Sequence, residues 1–77
     1  MIRIVEEAVD QTGAPICSTE LPVIFPHRGE AVTFIHQFLR THFANGRSGY
    51  SLDQDYWWGS ALGQTFELYR YRLTESE

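Results

Sequence analysis

Three histidines, one cysteine, two aspartates separated by one residue and no lysine are the chemically distinctive features of this 77-residue sequence. A chain without lysine builds no P-loop, no Schiff base and no pyridoxal-phosphate site. No residue spacing implies a cofactor of another kind. His36 and His42 are six residues apart, about 240° around a helix, so they do not chelate one metal from one face. His27 stands ahead of that helix, and no zinc pattern follows from the three. His42 falls in the helix's apolar arc, where a neutral imidazole with a hydrogen-bond partner could act as a base or ligand. It also lies in the last turn, where exposed carbonyls favour a cationic imidazole, and that structural role is sufficient.

The stretch "DQD" at 53 to 55 could be read as a carboxylate pair or a calcium loop. A calcium loop needs further ligands and a glycine at set spacing, which "DQDYWWG" lacks. A loop approaching a strand explains both aspartates, and Asp55 could pair across that strand with Arg70. In "NGRSG", residues 45 to 49, glycine amides could form an anion nest assisted by Arg47, so that Arg47, Ser48, Gly49 and Tyr50 make a candidate ligand loop. Gly49 follows Ser48 directly, which is not nucleophile-elbow spacing, and a helix stop followed by a polar loop is the simpler account. Cys17 is the single cysteine, which excludes an internal disulfide and a cysteine-rich zinc site. No basic neighbour in sequence activates its thiol. No catalytic residue is singled out.

The formal charge of -4, with six scattered arginines, disfavours nucleic acid as a partner, since phosphate backbones are bound through clustered cations. "MIRIVEEAVD" is charged from its third residue, and no apolar run reaches the ~18 to 20 residues of a membrane span. A lone thiol and a charged start fit a cytoplasmic protein with no membrane partner. A chain this short forms one domain, expected over residues 1 to 73 with a frayed acidic tail at 74 to 77. Its small core favours good packing or self-association as a source of stability.

"IRIVEEAV" at 2 to 9 reads as a strand closed by the turn formers "DQTG". The return strand is expected at 14 to 21, at a sheet edge because Pro15 and Pro22 cannot donate to a ladder. "RGEAVTFIHQFLRTHFANG" has helical periodicity. Steps of ~100° gather Ala31, Val32, Phe34, Ile35, Phe38, Leu39, His42 and Phe43 on about half its circumference, and Gly46 is placed for a left-handed helix stop. After a polar loop, "RSGYSLDQ", come the strand "DYWWGSA", a turn near residues 62 and 63 and the strand "QTFELYRYRL". The expected class is therefore α+β: β-β-α-β-β, with a four-stranded, mainly antiparallel sheet and one helix on it. In outline the chain resembles many small bacterial proteins, a likeness of architecture that transfers no active site.

Residues 53 to 73 hold both tryptophans and three of the four tyrosines. Side chains alternate along a strand, so in either short-loop register one tryptophan joins Phe66 and Leu68 while the other joins Tyr69, Tyr71 and Leu73. One helix, ~10 Å across, covers only one side of such a sheet. The helix is expected over the Phe66 and Leu68 side. One of Trp57 and Trp58 is then core, and the other, with the tyrosines drawn from Tyr56, Tyr69 and Tyr71, supplies a contact surface for a partner protein, most simply the two-fold face of a homodimer. The leading functional expectation is a non-enzymatic protein-interaction module. The alternative is a small-molecule binder or minor enzyme with its site between the 45 to 55 loop and the second hairpin, marked by a pocket holding Arg47, Tyr50 and a tryptophan.

Overall fold

The computed structural model describes residues 1–60 and 69–75. Its first element is the β-branched run Ile2–Val9, strand β1. At its end Asp10 Oδ1 accepts from the amides of Thr12 and Ala14 and from the Thr12 hydroxyl. Gly13 takes φ +86°, so the chain reverses tightly. It returns as β2, Pro15–Phe25, which runs four residues beyond the expected end and stays at the sheet edge as the prolines require. Pro22 falls where the β1–β2 register shifts, between Arg3 opposite Ile24 and Val5 opposite Glu20. The missing donor therefore interrupts no regular ladder.

Helix α1, Arg28–His42, buries Ala31, Ile35 and Leu39, with Val32, Phe34, Phe38 and Phe43 partly buried beside them. The apolar arc is as the periodicity predicts, but the stop differs. Phe43 is the C-cap, its amide donating to the Leu39 carbonyl, and among described glycines only Gly13 has positive φ. Gly46 instead donates to the Phe43 carbonyl. His42 is exposed, stacked on Phe38 with ring centroids 3.9 Å apart and Nδ1 3.0 Å from the Phe38 carbonyl.

The segment Arg47–Ser51, expected as loop, is strand β3. It is followed by β4, Tyr56–Ser60, and β5, Tyr69–Glu75. The described strands thus form one antiparallel sheet of five, ordered β2-β1-β5-β4-β3. "RSGYS" has no apolar alternation of its own, and its neighbour makes it a strand. Tyr50 sits opposite Trp57 with rings 4.7 Å apart, and Gly49 lies flat beneath Trp58. A methyl at Gly49 would stand 2.9 Å from Cζ2 of that indole. β5 continues through Thr74 and Glu75, assigned from sequence to the tail, because they pair with Arg3 and Ile2.

Register decides which aromatic side chains are core. Trp57 pairs with Tyr71 and Gly59 with Tyr69, so Trp57 shares a face with both tyrosines. This is the parity of a three-residue loop, while the turn itself and Phe66 and Leu68 lie outside the described residues. α1 covers this face: Ile4, Ile35, Leu39, Trp57 and Tyr71 form the buried cluster, with Leu21, Val23, Phe25, Tyr69 and Leu73 against it. The expected assignment of faces is therefore reversed. Ile4 pairs with Leu73, and Leu21, Val23 and Phe25 of β2 line up on the same side. Apolar residues contributed by the first hairpin thus select the tyrosine side for the helix. On the other face the Arg70 and Arg72 guanidinium carbons stand 4.8 and 5.2 Å from the Tyr56 ring, which is only 6% exposed.

Candidate functional site

α1 lies near β1, β2, β4 and β5 and reaches β3 least. A helix of ~10 Å cannot cover five strands spaced ~4.8 Å apart. The uncovered step between the helix and β3 is a groove of about 290 Å³. His36 and Arg40 come from its helix wall, one turn apart, with buried Leu39 between them. Ser48, Gly49 and Tyr50 come from β3, and Trp57 of β4 is the floor.

The floor is buried and the rim charged. Trp57 is 5% exposed, and the His36 ring meets it edge-on at 6.3 Å. The Arg28 guanidinium carbon stands 6.0 Å from the centre of the same indole. Near the start of the helix the Tyr50 hydroxyl donates to Asp55 Oδ1 at 2.5 Å and Arg28 Nη2 donates to the same oxygen at 3.2 Å. The Tyr50 bond, then the Arg28 charge, hold the Asp55 carboxyl below its ordinary range, and the same bond pushes the Tyr50 phenol up. At neutral pH this fixes a carboxylate acceptor and a neutral phenol donor, which orients the Tyr50 ring as an end wall. Asp55 adopts φ +53°, a left-handed conformation that aspartate tolerates better than most residues, at the turn joining β3 to β4.

Neither Arg40 nor Arg47 forms an ion pair with a described residue. Both are exposed, Arg40 on the helix wall and Arg47 at the head of β3. The lining of the groove holds two basic residue types and no acidic one. Its chemistry is an aromatic floor beside unneutralised positive charge. No three His, Cys, Asp or Glu side chains gather into a metal-binding group among the described residues. No described helix is long and apolar enough to cross a membrane.

Of the residues named from sequence, Ser48, Gly49 and Tyr50 line the groove with Trp57, while Arg47 lies outside its lining. Those three belong to an extended strand, so an anion there meets side chains rather than a nest of loop amides. Tyr69 and Tyr71 pack beneath the helix, and Tyr56 and Trp58 occupy the opposite face. Asp55 takes Tyr50 and Arg28 rather than the expected Arg70, which the register sets opposite Trp58. The sequence does not by itself mark His36 and Arg40 as a pair. Their four-residue spacing on the flank of the apolar arc was a visible signal, but its meaning depended on a strand that the sequence presented as loop. Compared with models of known families, with curated proteins and with solved structures, the chain matches none.

Proposed function

We propose that this protein is a non-enzymatic binding module whose site is the groove between α1 and β3, taking an anionic group against Arg40 and an apolar or aromatic group on Trp57 and Tyr50. The observation that carries this reading is Arg40, without an ion-pair partner among the described residues, beside a buried indole floor in a chain of net charge -4. A cation kept without an internal partner in an acidic protein is available to a ligand, and a guanidinium takes a carboxylate or phosphate bidentately. A volume near 300 Å³ is at the small end of ligand sites. Among the described residues no hydrogen bond joins His36 to Ser48, and the Asp55 carboxylate is occupied by Tyr50 and Arg28. Binding thus has more support than catalysis, which needs a nucleophile and base in reach of each other.

The test is a ¹⁵N chemical-shift titration with benzoate and phenyl phosphate. Saturable shifts at the Trp57 indole N–H and the Gly49 and Tyr50 amides are expected, with Arg40→Gln weakening them roughly tenfold, as the loss of one charge-assisted contact implies. Shifts scattered over the surface, or unchanged affinity in Arg40→Gln, would reject the site.

A further inference from the structure

We infer that the occupant of the groove is an extended acidic peptide segment that adds to the outer edge of β3 as a sixth strand. This deepens the proposed binding function and rests on the groove being the site. β3 ends the sheet, and among the described residues no backbone bond outside its ladder with β4 reaches residues 47 to 51. A sheet edge offers its unpaired N–H and C=O groups to any chain of suitable shape, and folded proteins usually blunt it.

The two edges of this sheet differ in that respect. β2 carries Pro15 and Pro22 and two register shifts against β1. β3 has no proline, pairs with β4 in unbroken register, and has Gly49 at its centre. Its five residues define an added strand of similar length, ~17 Å. The groove runs along this same edge, between it and α1. In an added strand every second side chain would drop toward the helix, two or three of them over five residues. Backbone pairing would supply affinity while the groove reads alternate side chains.

Charge selects the segment. Arg40 on the helix wall lacks an ion-pair partner among the described residues, His36 shares the wall, and no described carboxylate lines the groove. An acidic side chain two residues from an apolar one, and so on the same face, fits Arg40 and Trp57 together. A second copy of the chain fits worse, since a two-fold axis through β3 would bring identical cations to the seam from both sides.

The probe is the capped peptide Thr-Val-Thr-Glu-Thr-Val-Thr, with three controls: Lys in place of Glu, backbone N-methylation at alternate residues, and benzoate. Protein amide hydrogen exchange at residues 47 to 51 is read together with ¹⁵N shifts. At saturating peptide, alternate β3 amides should slow at least tenfold, the Lys and N-methyl peptides should bind at least tenfold more weakly, and Arg40→Gln should lose a similar factor. Benzoate binding without any β3 protection by the peptide would overturn the sixth strand and leave the groove reading standing. Equal binding of the N-methyl peptide would overturn it too. β3 protection that rises with protein concentration alone would make a second copy the occupant, and silence of the groove toward every probe would remove both readings.

Discussion

Replacing Gly59 with alanine sets two effects of known size against each other. Alanine normally gains about 0.5–1 kcal/mol over glycine within a regular element, because the unfolded chain loses freedom. At Gly59 a methyl would stand 2.5 Å from Cδ2 and 2.6 Å from Cζ of Phe43. Carbon atoms rest at about 3.5 Å or more, so the ring must withdraw by roughly 1 Å. Neither side yields easily. β4 is held between β3 and β5, with Gly59 paired to Ser48 and Tyr69, and Phe43 is the helix C-cap with its ring 6.2 Å from that of Tyr69. Overpacking of this kind costs about 1–3 kcal/mol, and expelling the ring would forfeit a similar burial energy. After the alanine gain, a net loss of about 1–2 kcal/mol remains, a fall in Tm of roughly 5–15 °C for a domain this small. Calorimetry of Gly59→Ala, Phe43→Ala and the double variant checks the cause. With the ring removed the methyl has room, so the double variant should be more stable than the sum of single losses predicts, by at least about 0.5 kcal/mol. A Gly59→Ala protein as stable as the parent, or strict additivity, would refute the argument.

Three further outcomes are expected. The double change Tyr69→Thr and Tyr71→Thr should unfold the protein by circular dichroism, because Tyr71 is 1% exposed beneath the helix and losing a buried aromatic side chain costs about 3–5 kcal/mol; a folded variant would restore these tyrosines as surface residues. Burial first, and then the bond its hydroxyl donates to Glu6, hold the Tyr71 phenol above its ordinary value. That proton is bound more tightly in the folded state, so the contribution is complete below pH ~10 and falls as pH rises beyond it, while the unfolded phenol ionises. Urea midpoints from pH 8 to 11 should therefore decline less steeply in Tyr71→Phe than in the parent. Finally, Asp55→Asn should bring the Tyr50 phenol back toward its ordinary range in an ultraviolet titration, since the Asp55 bond is the main cause of its upward displacement; an unchanged titration would mean that this bond does not form in solution.

Elements governed by local physics were legible along the chain: the first strand and its Asp10 turn, the amphipathic helix with Ala31, Ile35 and Leu39 inward, and the proline-marked edge of β2. Each depends on side-chain periodicity or on φ restrictions a few residues long. The α+β class follows from their order. What the tertiary structure decided was pairing. β3 is a strand because Trp57 and Trp58 lie against Tyr50 and Gly49, a condition set by residues outside the segment. The β4–β5 register turns Trp57 to the helix side with Tyr71, and since strand side chains alternate every second residue, a shift of one residue would have reversed that. The groove inherits both decisions. Of its parts, Ser48, Gly49, Tyr50 and Trp57 could be named from sequence. Their partnership with His36 and Arg40 could not, because it exists only where a narrow helix stops short of a fifth strand.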